Sequence, residues 1–229
     1  MPVNSVTHCL RLIGVLGLLA SSADPATAQT LAPRPARIAT IAVWTGSSIL
    51  VRTASNNEAF GGRMQMGGVQ LTHRLSARGG LRVNWLLDIV PAMLATTGTP
   101  AHRFEELTAD IDPIGEATRL ARYLPHRSYG VGFAPLGLEV SREIITPIRV
   151  VFGTSIGGAF FSHVVPYGKA TQANFTVNPS LSLQWRVTRT SALAVGYAVQ
   201  HLSNGSLGAA NPGMNSHLLT VRVVRERYR

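Results

Sequence analysis

A histidine and a serine stand two residues apart in His201-Leu202-Ser203-Asn204-Gly205, and a second polar stretch, Asn211-Pro212-Gly213-Met214-Asn215, follows shortly after. A serine hydroxyl becomes a nucleophile when a neighbouring base takes its proton, and imidazole can be that base. Whether residues at this spacing can meet depends on local conformation. In a strand, successive side chains alternate faces, so positions i and i+2 point the same way. Leu193, Val195, Tyr197 and Val199 alternate in phase with His201 and Ser203. The pattern predicts a Ser/His pair for acyl transfer at the end of a β-strand, on that strand's apolar face, where its chemistry would meet a lipid.

The elements that must position this pair are strands throughout. Phe175, Val177, Pro179, Leu181, Leu183, Trp185 and Val187 alternate with Thr176, Asn178, Ser180, Ser182, Gln184 and Arg186. Leu81, Val83, Trp85, Leu87 and Ile89 alternate with Arg82, Asn84, Leu86 and Asp88 in the same way, and this period of two is the strand signature. Strands are expected near 37–45, 62–75, 80–95, 128–140, 147–161, 173–188, 191–203 and 215–227. Short turns fall at 76–79, 142–146 and 189–190, and longer links at 46–61, 96–127, 162–172 and 204–214. An even strand number with short turns on one side and long loops on the other predicts an all-β fold: an eight-stranded antiparallel transmembrane β-barrel of the outer-membrane type. A slip of phase at Pro135 predicts a bulge in the fourth strand.

Alternation also fits a soluble lipocalin-like barrel or a β-sandwich. Two features favour the membrane barrel. Ala192, Ala194, Gly196 and Ala198 lie opposite the apolar face of the seventh strand, and such small residues suit a crowded barrel interior. Charge is nearly absent from the apolar face of every strand. With both termini in the periplasm, His201 and Ser203 would sit at the outer end of the seventh strand, facing the leaflet that holds lipopolysaccharide.

The N-terminus fits that destination. Arg11 precedes the apolar run 12–20, and Ala26-Thr27-Ala28 supplies a small-x-small cleavage pattern, so residues 1–28 read as a cleaved signal peptide and 29–229 as a single barrel domain. The run is too short for a membrane-spanning helix, which needs about 20 apolar residues. Cys9 would leave with the signal, which excludes disulfides and thiol metal sites from the mature chain. The formal charge of +10 survives cleavage because Arg11 and Asp24 cancel. Arginines scattered over strand ends and loops form no block or stripe, which argues against nucleic acid and for a phosphorylated lipid surface. Arg52, Arg63 and Arg127 are candidates for its phosphates.

Other residues have plainer readings. Asn211-Pro212-Gly213 is good turn chemistry. Trp85, Trp185 and Tyr197 suit the membrane interface. Asp88, expected inside, should pair with an interior arginine such as Arg82 or Arg186. The acidic residues Glu105, Glu106, Asp110, Asp112 and Glu116 match no calcium loop. His73, His102, His126 and His163 offer no zinc spacing, so no metal or cofactor is expected.

Four segments carry a resemblance to a known family: His201-Leu202-Ser203-Asn204, Asn211-Pro212-Gly213, and more loosely Leu87-Asp88-Ile89-Val90-Pro91 and Gly132-Phe133-Ala134-Pro135-Leu136-Gly137. The chain resembles the outer-membrane lipid A 3-O-deacylases, the PagL-like barrels. The resemblance implies an esterase acting on an ester-linked acyl chain of lipid A, with Ser203 as nucleophile, His201 as general base and Asn204 as an oxyanion donor. The family's third catalytic residue is a glutamate twelve positions after the serine, where this chain has Asn215. An amide can accept a hydrogen bond from the ring N–H but brings no negative charge, so orientation without full electrostatic support is expected. His217 shares the face of Asn215. The rival readings are a catalytically weak or inactive barrel with a structural or lipid-binding role, favoured by Asn215 and by the basic stretch 225–229, and a soluble barrel binding an apolar ligand. Homodimer formation stays open.

Overall fold

The computed structural model describes residues 38–54, 62–96, 126–168 and 170–226. The expected signal peptide, Cys9, His102 and the acidic loop cluster lie outside the described residues. The strands are β1 (Ile38–Thr53), β2 (Arg63–Arg78), β3 (Leu81–Thr96), β4 (Arg127–Ile145), β5 (Ile148–Val165), β6 (Thr171–Val177), β7 (Ser180–Arg186), β8 (Ser191–Ser203) and β9 (Met214–Glu226). Neighbours pair antiparallel, and β1 pairs with β9 to close the ring. β6 and β7 lie end to end between β5 and β8. They are two halves of one strand, so the ring has eight strands. Pro179 at the break has no N–H to give, but its carbonyl accepts from Val199 N at 3.0 Å, and Asn178 exchanges backbone hydrogen bonds with Ser155 at 2.9 and 3.3 Å.

Four strands run further than the alternation indicates: β2 reaches Arg78 and β5 Val165, and β1 and β4 extend the most. β1 continues through Gly46-Ser47-Ser48 to Thr53, a stretch that reads as a loop. Ser47 pairs with Gln65 on one side and Leu219 on the other, so tertiary pairing overrides the local turn-like composition. β4 extends to Ile145 for the same reason, paired with β5 as far as Ile148. The bulge expected near Pro135 is present: the register with β5 shifts between Phe133 and Leu136. Gly157 faces it, where a Cβ would come within 2.1 Å of the Phe133 carbonyl oxygen, so only glycine lets the strands close there.

The alternation sorts inside from outside as the residues require. Leu181, Leu183, Trp185 and Val187 are exposed on the outer wall, while Ala192, Ala194 and Ala198 are buried within. The interior divides along its length. Toward the short turns it is filled by polar pairs, Arg149 with Glu226 at 2.8 Å and Arg222 with Glu139 at 3.3 Å. Toward the long loops it holds an apolar plug of Met64, Met66, Met93, Phe161, Leu202 and Met214.

Asp88 is buried inside, but its partners differ from those expected. It accepts from Trp44 Nε1 at 2.9 Å and Gln70 Nε2 at 3.1 Å. Gln70 lies directly across the β2–β3 ladder from it. Arg82 lies six residues away on β3, about 20 Å along an extended strand, and pairs with Glu226 at 3.6 Å. Arg186 pairs with Glu143 at 2.9 Å.

Candidate active site

Leu202, fully buried in the apolar plug, fixes the end of β8. Because strand neighbours alternate, this anchor turns His201 and Ser203 outward. His201 stands in a cross-strand row between Val177 of β6 and Asn215 of β9, and Asn215 is in turn opposite Arg52 of β1. Ser203 stands beside Phe175, an exposed ring on the outer wall.

Register converts the sequence separation into contact. His201 Nδ1 and Asn215 Oδ1 are 2.7 Å apart. With Oδ1 as acceptor, Nδ1 carries the proton and Nε2 keeps its lone pair, the tautomer a general base needs.

Beyond Ser203 the chain makes a tight polar loop. Gly205 has φ of 61° and Ser206 of 64°, both left-handed. A Cβ on Gly205 would meet the Phe175 ring at 2.9 Å, so both backbone conformation and space call for glycine. Asn204 is buried, and its amide holds the loop: Nδ2 donates to the Ala210 carbonyl at 2.7 Å and Oδ1 accepts from Ser206 N at 3.0 Å. Its side chain, expected as an oxyanion donor, is thus engaged in loop structure.

Asn211 takes the place beside the serine. Its Nδ2 donates to Ser203 Oγ at 2.9 Å, and its Oδ1 lies 3.2 Å from the same hydroxyl and accepts from Asn204 N at 3.1 Å. Gly205 N donates to Ser203 Oγ at 3.2 Å. Two N–H donors therefore converge on the hydroxyl. Among the described residues the hydrogen bonds of Ser203 do not include the His201 ring. The sequence pointed to Asn211 as part of a turn and of a segment carrying the family resemblance, but gave its side chain no role, because Asn-Pro-Gly is turn chemistry in any protein. Its spacing of eight from Ser203 acquires meaning only when the loop folds back.

The other histidine near the site is engaged elsewhere: His217 Nδ1 is hydrogen-bonded to the Tyr197 hydroxyl. Glu139, Glu143 and Glu226, the acids of the polar half, pair with Arg222, Arg186 and Arg149 near the short turns.

Fold and site together define a class: an eight-stranded antiparallel barrel of the outer-membrane type with a Ser, His and Asn constellation on its outer wall. Residues 120–224 match the family model of lipid A 3-O-deacylase (PagL), a span that contains His201, Ser203, Asn211 and Asn215. Among solved structures, the outer membrane enzyme PagL is similar in fold, with 15% identity and a TM-score of 0.51 over 80% of this chain and 98% of that chain. Neisserial surface protein A has 10% identity and a TM-score of 0.48 over 82% of this chain and 97% of that chain. No curated protein sequence matches. The family model matches just under half of the chain, and the PagL structure shows a likeness of fold.

Proposed function

We propose that this protein is an outer-membrane serine esterase that removes an ester-linked acyl chain from lipid A in the outer leaflet. The observation that carries the reading is the pairing of His201 Nδ1 with Asn215 Oδ1 at 2.7 Å on the same outward face as Ser203. Substrate would approach from the membrane side, between Phe175 and the loop 204–211.

In the proposed course, the Ser203 hydroxyl turns from Asn211 to His201 Nε2 and attacks the ester carbonyl as the imidazole takes its proton. The carbonyl oxygen becomes an oxyanion within reach of Asn211 Nδ2 and Gly205 N–H, both already aimed at the Ser203 oxygen. Donors fixed before the reaction lower its barrier because they need no reorganisation when charge develops. Asn204 serves by holding Gly205 and Asn211 in place. Protonated His201 passes its proton to the departing sugar alkoxide, leaving an acyl-Ser203 ester and a free hydroxyl on lipid A. Water, deprotonated by His201, then releases the fatty acid. The chain's own side chains complete this route without a metal or cofactor.

A second reading, an inactive barrel that binds lipid or serves a structural role, is favoured by one feature: Asn215 brings no charge to stabilise the imidazolium. Mass spectrometry of lipid A from cells expressing the protein, beside matched cells expressing Ser203→Ala, separates the two. Loss of one 3-hydroxyacyl chain that depends on Ser203 supports the esterase. Unchanged lipid A, with the barrel present in the outer membrane, supports the inactive scaffold.

A further inference from the structure

On the wall formed by β1 to β5, near the long-loop end, lies an outward groove of about 920 Å³ that contains no residue of the Ser203 site. Three cross-strand rows build it. The lowest is Gly67 with Ala92 across β2 and β3, beside Val131 with Phe160 across β4 and β5. Above it stand Gln65, Leu94 and Tyr129. At the rim Arg63, Thr96 and Arg127 form a single row over β2, β3 and β4. The small residues give a shallow floor, and Tyr129, Val131 and Phe160, all more than half exposed, stand up as a wall.

The rim arginines are exposed, and neither has an ion-pair partner among the described residues. One strand lies between them, so their Cα atoms are about 10 Å apart, a distance two guanidinium groups can close around one phosphate. Four of the barrel's interior arginines are paired with glutamates; these two instead cap an apolar, lipid-facing groove. Counting strands around the closed ring, β2 and β4 each lie three strands, about 14 Å, from β8, and β3 between them lies opposite it, so a lipid being cleaved at Ser203 does not occupy this position.

We propose that this groove is a second, non-catalytic lipid site: it holds one membrane lipid with a phosphate headgroup, the phosphate on Arg63 and Arg127 and an acyl chain along Gly67, Ala92 and Phe160. It rests on the outer-membrane reading of the barrel but not on esterase activity. The groove supplies shape for the chain, and the arginines supply the preference for an anionic headgroup over neutral lipid.

The test is native mass spectrometry of the full barrel released from detergent, with phosphatidic acid, diacylglycerol of the same chains and inorganic phosphate as separate probes. The wild type should retain one phosphatidic acid in preference to diacylglycerol. Affinity should fall about tenfold or more in Arg63→Ala/Arg127→Ala, as two interfacial cations are lost. Gly67→Leu should also weaken it by filling the groove; a Cβ there meets only the Trp44 carbonyl oxygen, at 3.4 Å, so the barrel tolerates the change. Heat-modifiable migration verifies that each variant is folded. Equal loss in Arg142→Ala/Arg225→Ala, exposed arginines at the opposite end, would reduce the effect to general charge and overturn the proposal. So would binding of inorganic phosphate at the rim with no response of phosphatidic acid to Gly67→Leu.

Discussion

His201 and Asn215, fourteen residues apart in sequence, face each other across the β8–β9 ladder with Nδ1 and Oδ1 separated by 2.7 Å. The contact gives the imidazole an orienting partner without a counter-charge. In a serine triad, exchanging the acid for an amide costs about 10⁴ in turnover.

Asn215→Glu should therefore accelerate deacylation, by about 10² to 10⁴ on the triad scale. A rate measurement on purified protein with lipid A checks this; no gain in rate would show that the third residue does not limit the reaction.

Asn211→Ala should lower turnover by about 10² to 10³, the usual cost of one oxyanion donor. The exposed position of Asn211 predicts that the barrel persists, as judged by heat-modifiable migration. Asn204→Ala should also reduce activity, but through the loop: it removes the bonds to Ala210 and Ser206 and should increase proteolysis at 204–210. A variant pair with equal activity loss and unchanged loop proteolysis would contradict the division of roles.

Leu202→Ala should destabilise the barrel by about 2–5 kcal/mol, because it opens a cavity in the apolar plug. It should also slow deacylation, since Leu202 anchors the strand end that carries His201 and Ser203. Urea unfolding in detergent, read by tryptophan fluorescence, measures the first effect.

Glu226→Ala should cost about 3–5 kcal/mol, as it leaves the Arg149 guanidinium buried without its carboxylate. The pair lies in the polar half near the short turns, so lipid A specificity should be unchanged in whatever fraction folds. A shifted lipid A product would show that this half of the barrel influences the site.

The residues themselves determined the period of two, the apolar outer face, the small residues inside β8 and the outward placement of His201 and Ser203. These are local properties: alternation depends only on which neighbour lies one or two positions away. They also marked the bulge at Pro135, since a phase slip is visible along a single strand. What local pattern could not decide is register, because a strand carries no mark of which partner residue it will face. Gly46 to Ser48 read as a loop until pairing with β2 and β9 drew them into β1. Asp88 read as a partner for Arg82 or Arg186, and register gave it Gln70 and Trp44. Asn211 read as a turn residue, and only the folding back of the loop 204–213 brought its amide to Ser203. Tertiary structure decided these because each depends on contacts between segments whose relative alignment is set by the whole closed ring.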